Sequence, residues 1–159
     1  MWKQKNRVRK PRPEGEQRRT LDSMDFWSLI HILDAEFSFN LRAGTAAAQG
    51  HPVVKCYTCG SQDHWKNMDC GHYEQREMMG TRYDVRNCRI QCHACNRMNE
   101  GRKAVFGDHL RNDGIDVDSV RTLAAMWGRT RPPLETLIEQ IKSYRAENKR
   151  IRERLKGME

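Results

Sequence analysis

The sequence predicts a small α+β domain that is stapled by a zinc ion. Two C-x-x-C pairs, Cys56/Cys59 and Cys92/Cys95, bracket a segment with two strand-like stretches. Helical apolar periodicity precedes and follows that segment. Hydrophobic residues make up 37% of the 159-residue chain and charged residues 31%, so the composition is too polar for a large core. A metal staple with flanking exposed helices suits such a chain.

A basic arm is predicted at the N-terminus, over residues 1–20. This segment carries eight Lys and Arg residues against two Glu residues, and Pro11 and Pro13 interrupt it. Such a composition cannot form a core and is typical of a flexible segment. The arm either keeps the protein soluble or contacts phosphates beside a nucleic-acid site, and the sequence leaves both roles open.

A helix and a loop are predicted next, over residues 21–52. Apolar residues recur at steps of three and four from Asp22 to about Arg42, which predicts one amphipathic helix. Thr20 or Asp22 can cap its first turn, and Gly44 is predicted to end it. The loop then runs from this glycine to residue 52.

The central unit is predicted over residues 53–112. Two valines at its start suggest a short strand before the first cysteine pair. Asp69–Tyr73 and Tyr83–Ile90 are predicted strands on either side of a loop. A helix is then predicted to open at Cys92, and a further short helix is predicted over Arg102–Arg111.

Two more helices are predicted in residues 113–159. Asp118 or Ser119 can cap the first, which runs to about Trp127. The second is predicted over Pro133–Leu155, with an apolar seam at near-heptad spacing. This seam either packs on the chain's own domain or forms a homodimer, and the sequence leaves both open. The seam residues are Leu134, Leu137, Ile138, Ile141, Tyr144, Asn148, Ile151 and Leu155.

The charge balance and the cysteine positions narrow the class of protein. Lys and Arg number 29 against 21 Asp and Glu, and the net charge of +8 favours a polyanionic partner, most commonly nucleic acid. The first residues lack the apolar segment of a signal peptide, and no run of about 18 apolar residues occurs. A cytoplasmic protein without a membrane partner is therefore expected, and its paired cysteines are expected to bind metal.

Four cysteines are predicted to hold a structural zinc ion. The two C-x-x-C pairs supply four thiolates from two tight turns, which is the usual arrangement around a tetrahedral structural zinc. The gap between the pairs is longer than in a simple zinc ribbon, so a further unit is inserted between them. Cys70 and Cys88 lack a paired spacing and are predicted to be small buried residues or free thiols rather than ligands.

The inserted unit carries a motif that resembles known endonucleases. His72, Asn87 five residues before the second cysteine pair, and Asn96 directly after that pair resemble the HNH or His-Me finger motif. Residues 92–101 also resemble the metal-binding end of the phage endonuclease VII Holliday-junction resolvases.

A longer pattern is similar to the NinG/Rap family of lambda-like phages. It consists of D-x-G-H-Y at residues 69–73, R-Y-D-x-x-N at residues 82–87 and Q-C-x-x-C-N at residues 91–96. The resemblance covers roughly residues 53–155. It implies a ββα-metal (His-Me finger) core with flanking α-helices and a long C-terminal helix.

The resemblance also implies a function. The expected activity is that of a structure-specific DNA endonuclease, which cleaves branched recombination intermediates such as Holliday junctions and D-loops during phage recombination. The partner is then DNA, and the site of action is the host cytoplasm. Two alternatives stay open, a non-catalytic zinc DNA-binding module and a generic HNH nickase used in phage DNA packaging.

The chemistry of the motif residues agrees with the hydrolysis of a phosphodiester bond. His72 can take a proton from water at neutral pH, since a free histidine has a pKa of about 6.5. Asn96 and Asp69 offer oxygen atoms to a catalytic Mg²⁺ or Mn²⁺ ion. Asn87 is expected to orient the loop or the backbone at the histidine, as the middle Asn does in HNH sites. The predicted phosphate contacts are Arg76 and Arg82.

One position departs from the HNH pattern. Many such sites have an Asp or His ligand directly before the base, but this chain has Gly71 there. Asp69 is the nearest carboxylate and matches the family pattern, although alternation along an ideal strand points residues 69 and 72 to opposite faces. Either a bulge re-aims one of the two, or Asp84 or Glu74 supplies the second ligand.

Overall fold

The computed structural model describes residues 20–157, so the predicted basic arm lies outside the described residues except for Thr20. Within this range the chain forms four α-helices and two antiparallel two-stranded sheets, which confirms the mixed α+β class. No helix in the described range is both long enough and apolar enough to cross a membrane. The helices are α1 (Phe26–Gln49), α2 (Lys103–Asn112), α3 (Val117–Trp127) and α4 (Leu134–Leu155). The strands are β1 (Val53–Lys55), β2 (Gln62–His64), β3 (Met68–His72) and β4 (Cys88–Cys92).

Helix α1 begins later than the sequence predicts. Asp25 caps it instead of Thr20 or Asp22, because its Oδ1 accepts hydrogen bonds from the backbone N–H groups of Trp27 and Ser28, both at 3.0 Å. The earlier residues form a separate short 3-10 turn.

Helix α1 also ends later than predicted, so most of the predicted loop after residue 44 is helical. Gly44 does not end the helix, since it serves close packing inside it: a Cβ there would lie 3.3 Å from Cδ1 of Ile151 in α4. The helix ends at Gly50, whose φ of 67° is the left-handed conformation that glycine adopts easily.

Helix α4 matches its prediction and packs along α1 in the same chain. Leu29, Ile30 and Leu33 of α1 cluster with the early apolar residues of α4, and Gly44 meets Ile151 further along, so the two helices run parallel. The seam is therefore buried within its own domain. A homodimer through α4 stays a prediction.

A polar contact fixes the register of these two helices. Asn148 is fully buried at a seam position, where its Oδ1 accepts a hydrogen bond from Nδ2 of Asn40 at 3.0 Å. Its own Nδ2 donates to the backbone oxygen of Glu36 at 3.0 Å and to the carboxylate of that residue at 2.8 Å. A buried amide of this kind is satisfied in only one axial alignment, so it disfavours slipped packings.

Helices α2 and α3 cover one end of the central hairpin. The prediction of α2 is confirmed to within a residue, whereas α3 is capped by Asp116 rather than by Asp118 or Ser119. The Asp116 carboxylate accepts from the backbone N–H groups of those two residues, both at 3.1 Å, as an N-cap requires. The helices pack around the ring of Tyr73, in a cluster with Phe106, Leu110, Val117 and Val120.

Strands β3 and β4 form the central hairpin, with Met68 opposite Cys92 and His72 opposite Cys88. The second strand starts at Cys88 rather than at Tyr83, because turns occupy residues 83–87. The backbone N–H of Asn87 donates to the Asp84 carbonyl at 2.9 Å, and this bond closes the last turn.

The helix predicted to open at Cys92 is a single π-helical turn, Ala94–Met98. It does not continue into α2, because Gly101 adopts a φ of 73° between them and reverses the path of the chain. This reversal places the carbonyl of Gly101 against the hairpin, where the side chain of Gln91 donates a hydrogen bond to it at 2.8 Å.

Candidate metal centre and adjacent cavity

The four predicted zinc ligands lie together. Their sulfur atoms are all within 4.8 Å of one another, and the sulfur atoms of Cys59 and Cys92 are 3.8 Å apart. Four sulfur ligands at about 2.3 Å from a tetrahedral zinc ion lie about 3.8 Å apart, so the donor set fits the ion. The cluster could hold a structural zinc as the sequence predicts.

Backbone contacts bring the two cysteine turns together. The first turn connects β1 to β2 and closes through a hydrogen bond from the Gly60 N–H to the Cys56 carbonyl at 3.0 Å. The second turn follows β4 directly. The N–H of Tyr57 donates to the carbonyl of Ile90 at 2.8 Å and ties the first turn to that strand. Each turn is local, and this backbone hydrogen bond helps to set their relative position.

The surroundings of the cysteines shift the pKa values of their thiols in different directions. Burial alone would raise the pKa of Cys56, but hydrogen bonds from Thr58 and from the backbone at Cys92 and Cys59 outweigh it and lower that pKa to about 6. Burial raises the pKa of Cys95 to about 11. Binding of a cation to the cluster would release the thiol protons that remain.

A cavity of about 420 Å³ lies between α1 and the central hairpin. Three of the predicted site residues, Asp69, His72 and Asn96, contribute to its lining. Asp34 of α1 and Arg97 of the π-helical turn also line it. The cavity is thus lined by residues of α1, of β3 and of the π-helical turn, which are far apart in the sequence.

His72 is held in one orientation by the loop that follows β3. Its Nε2 lies 3.0 Å from the backbone oxygen of Arg82. A carbonyl oxygen can only accept, so Nε2 carries the proton and Nδ1 keeps its lone pair. Burial lowers the pKa of His72, and the hydrogen bond to this carbonyl opposes the shift only in part. The ring is neutral at neutral pH and can accept a proton.

Asp69 and Asn96, the two predicted ligands of a catalytic cation, are in contact. The Nδ2 of Asn96 donates to the Asp69 carboxylate at 3.2 Å, and two nitrogen atoms of Arg97 donate to the same carboxylate at 3.0 Å each. Burial alone would raise the pKa of Asp69, but the hydrogen bonds of Arg97 and Asn96 outweigh it and hold the pKa below its ordinary value. The carboxylate is therefore ionised.

Asp69 and His72 line the same cavity although strand alternation points residues 69 and 72 to opposite faces of β3. Asp69 achieves this by reaching the π-helical turn, which forms part of the cavity wall. The other two carboxylates considered have partners elsewhere: Asp84 pairs with Arg86 at 2.6 Å, and Glu74 pairs with Lys103 at 3.0 Å.

The structure gives a steric reason for Gly71. A Cβ at this position would lie 2.0 Å from Oε1 of Gln91, whose side chain is fully buried. The Nε2 of that side chain donates to the Thr58 hydroxyl at 3.2 Å and to the Gly101 carbonyl at 2.8 Å. The residue before His72 therefore lacks a side chain because Gln91 fills its place and links β4 to the first cysteine turn.

Asn87 braces the loop between β3 and β4, as the sequence predicts. It is fully buried, and its Oδ1 accepts from the Glu74 N–H at 2.6 Å. Its Nδ2 donates to the carbonyl oxygens of Glu74 at 3.1 Å and of Thr81 at 3.0 Å. The amide thus joins both ends of the loop whose Arg82 carbonyl orients His72.

The two predicted phosphate contacts have different surroundings. Arg82 is only 8% exposed, and its Nε and Nη2 donate to the Asp34 carboxylate at 2.9 and 2.8 Å. Arg76 also pairs with Asp34, but 53% of its side chain is exposed. Arg82 therefore ties the loop to α1, which does not favour a phosphate contact, whereas the Arg76 side chain remains accessible from solvent.

Sequence reasoning did not identify several residues of this site. Nothing in the local pattern singles out Asp34, which reaches the site only through the packing of α1. Arg97 directly follows a motif residue and offered a signal by position. Cys70 and Cys88 also lie beside His72, and burial strongly raises the pKa of the Cys88 thiol. The alternation of β3 offered a signal for Cys70, since residues 70 and 72 share a face.

Comparison with known proteins adds a family. A family model described as "Bacteriophage Lambda NinG protein" matches residues 48–154, which is more than half of the chain. The matched region includes both cysteine pairs, the central hairpin and nearly all of α4, whereas most of α1 precedes it. Searches of curated proteins and of solved structures gave no significant match.

Proposed function

The chain belongs to the NinG family of phage lambda, and we propose that it is a metal-dependent DNA endonuclease of the HNH type. Family membership indicates a role related to phage recombination. The proposed reaction is hydrolysis of phosphodiester bonds in branched recombination intermediates, such as Holliday junctions and D-loops. The observation that carries the proposal is the meeting of His72, Asp69 and Asn96 around one cavity.

In this proposal β3, β4 and the turn after them correspond to the ββα-metal core of His-Me finger enzymes. The zinc ion has a structural role there. Two of its proposed ligands, Cys92 and Cys95, lie in the four residues before Asn96, so the ion would fix the start of the turn that carries this residue. Zinc would thereby hold the motif asparagine against Asp69 on β3.

His72 is the proposed general base. Its neutral ring presents Nδ1 to a water molecule, because Nε2–H is committed to the Arg82 carbonyl at 3.0 Å. The water gives its proton to Nδ1 as its oxygen attacks the phosphorus atom, the P–O bond to the leaving oxygen breaks, and that oxygen takes a proton from solvent water. General base catalysis of this kind contributes about 10² to 10⁴-fold to the rate.

Asp69 and Asn96 are the proposed ligands of a Mg²⁺ or Mn²⁺ ion. An ionised carboxylate and an amide oxygen are donors that hard cations prefer, so the donor set fits. When bound, the cation supplies charge stabilisation at the phosphate and the leaving oxygen. Arg97, with 61% of its side chain exposed, can exchange its pairing with Asp69 for a DNA phosphate.

A cleavage assay tests the proposal. The full-length protein, loaded with zinc, is incubated with Mg²⁺ or Mn²⁺ and three DNA substrates at one salt concentration: a four-way junction, a displaced-strand loop and a plain duplex. Fixed salt is needed because phosphate contacts make affinity steeply salt-dependent. We expect wild-type protein to cut the branched substrates and His72→Ala to be slower by about 10² to 10⁴-fold while binding persists.

His51→Ala is the matched control, since this exposed histidine follows α1 and, among the described residues, its ring contacts the backbone of Val53 nearby. It should cleave like wild type. Binding without cleavage by wild-type protein on all three substrates, with either cation, would favour the non-catalytic zinc module. Equal cleavage of plain duplex and branched DNA would favour the generic nickase.

A further inference from the structure

A second group of side chains that could bind a metal lies on the central hairpin, toward the end opposite Cys92. The sulfur atoms of Cys70 and Cys88 and one ring nitrogen of His72 all lie within 4.8 Å of one another. We propose that these three residues, the hairpin cluster, form a second binding site for a thiolate-seeking cation such as Zn²⁺, with water as the fourth ligand. Its occupancy would inhibit the nuclease.

The backbone of the hairpin places the three donors. Cys70 and His72 are two residues apart on β3, so their side chains leave the same face of the strand. Cys88 lies directly opposite His72 in the antiparallel register. Residues opposite each other in such a pair have Cβ atoms about 5 Å apart. The donors are thus set by paired strands rather than by a loop.

The chemistry of the donors selects the class of metal. Two thiolates and one imidazole are soft or borderline ligands, which favour Zn²⁺ over Mg²⁺. Two thiolates also balance the charge of a divalent ion, and a coordinating thiol loses its proton on binding. Three protein ligands with an open fourth position form a known type of zinc coordination.

The surroundings of the hairpin cluster permit binding. Cys70 and His72 line the cavity of about 420 Å³, which offers a path for the ion and room for a water ligand. Cys88 is fully buried beneath them. The Arg82 carbonyl accepts from Nε2 of the imidazole at 3.0 Å and from the Cys88 thiol at 3.7 Å, and metal binding through Nδ1 would keep the first of these bonds. Zinc-bound histidines commonly donate their other ring N–H to a carbonyl in this way.

The inhibitory consequence rests on the proposed nuclease function. His72 cannot keep its Nδ1 lone pair for a water proton while the same atom binds a metal. Zinc in the hairpin cluster would therefore compete with the water proton for Nδ1 of His72, whereas zinc in the four-cysteine cluster would stabilise the fold. The two sites would give opposite responses to the same ion.

Metal stoichiometry tests the binding part without any activity measurement. Full-length protein is equilibrated in reducing, zinc-buffered solution, and bound zinc is counted per chain. The Co²⁺-substituted protein is examined for sulfur-to-metal charge-transfer bands. We expect two zinc ions in wild type, and one in Cys70→Ser and in Cys88→Ala. His51→Ala, which leaves both sets of ligands intact, should retain two.

One zinc ion in folded wild-type protein would overturn the proposal, and so would two ions in both cysteine variants. Two variants are used because Cys88 is buried and its substitution can impair folding, whereas Cys70 is half-buried. If either variant is unfolded by circular dichroism, the other decides.

Inhibition is measured separately, by adding zinc to Mg²⁺-dependent cleavage. We expect the zinc concentration for half-inhibition to rise about tenfold or more in Cys70→Ser. An unchanged value would overturn the inhibitory role. A wild-type protein that binds two zinc ions but never cleaves DNA would sink the proposed function and leave the second site standing.

Discussion

The four-cysteine cluster and the cavity beside it are built in different ways. Each cysteine pair is formed by one tight turn, and a single backbone hydrogen bond between Tyr57 and Ile90 ties the first turn to β4. The cavity needs α1, β3, the loop after it and the π-helical turn, and Asp34 of α1 reaches Arg82 across 48 positions of sequence. The four-cysteine cluster is formed by two local turns, whereas the cavity exists only in the complete fold.

This difference in construction implies that the two sites are stabilised by different interactions. The cluster would draw on the bound ion, which can supply on the order of 10 kcal/mol. The cavity draws on several buried hydrogen bonds, each worth about 1 to 3 kcal/mol when a charge is involved. Loss of the ion should therefore destabilise the whole domain, whereas loss of one buried hydrogen bond should mainly perturb the cavity.

Removal of zinc should have the largest effect. Chelation, or Cys95→Ser in the buried ligand, is expected to unfold the domain, because about 10 kcal/mol is comparable with the entire stability of a small protein. Circular dichroism with a count of bound metal checks this. Cys70→Ser, which spares the four ligands, should stay folded. A metal-free protein with native helix content would contradict the stabilising role of zinc.

Asn87→Ala should come next, at about 3 kcal/mol of unfolding free energy. The change removes three hydrogen bonds and leaves buried backbone groups of Glu74 and Thr81 without partners. Denaturant unfolding measures the loss, and cleavage should fall with it because the loop orients His72. Asn112→Ala, an exposed residue at the end of α2, is the control and should change stability by less than about 0.5 kcal/mol. Equal stability of the two variants would refute the bracing role.

Asp34→Asn should cost about 2 kcal/mol at neutral pH, less than a fully buried ion pair, because Arg76 is half-exposed and screened. Burial alone would raise the pKa of Asp34, but the hydrogen bond and charge of Arg82, with those of Arg76, lower it.

The lowered pKa of Asp34 fixes how this difference depends on pH. Its contribution is fully present above the unfolded pKa of about 4 and is lost as the pH falls through the lower folded value. We therefore expect the gap between wild type and Asp34→Asn to be constant near neutrality and to close in acid. Asp118→Asn, at a position 87% exposed, provides the control. A gap that widens in acid would contradict this assignment.

Gly71→Ala should give the smallest effect, about 1 to 2 kcal/mol, because its methyl group would overlap the side chain of Gln91. The double variant Gly71→Ala/Gln91→Ala tests the cause, since truncating Gln91 makes room for the methyl group. A double-mutant cycle should then show a favourable coupling. Simple additivity of the two changes would mean that the glycine is needed for another reason.

Much of the site could be predicted from sequence because its motifs are local. One short stretch contains both cysteine pairs, the two strands of the central hairpin, and the motif residues His72, Asn87 and Asn96. Family membership agrees with the resemblance that this order indicates. The endonuclease activity, the catalytic cation and the preferred DNA stay predictions.

The boundaries of α1 could not be predicted because glycine has more than one use. Gly44 reads as a helix end in sequence, yet it lies within the helix because Ile151 packs against it. The true end at Gly50 depends on a left-handed backbone that either glycine could adopt. Only the packing of α4 decides between them.

The sequence by itself determined the four cysteines of a cluster that could hold zinc, through their spacing, and the order of the motif residues. Tertiary structure alone decided that the α4 seam faces α1, that Asp34 holds Arg82, and that Gln91 occupies the space beside Gly71. It also brought Cys88 to His72 across the hairpin. These contacts join residues far apart in the chain, and their partners are chosen by shape and charge complementarity that no local pattern encodes.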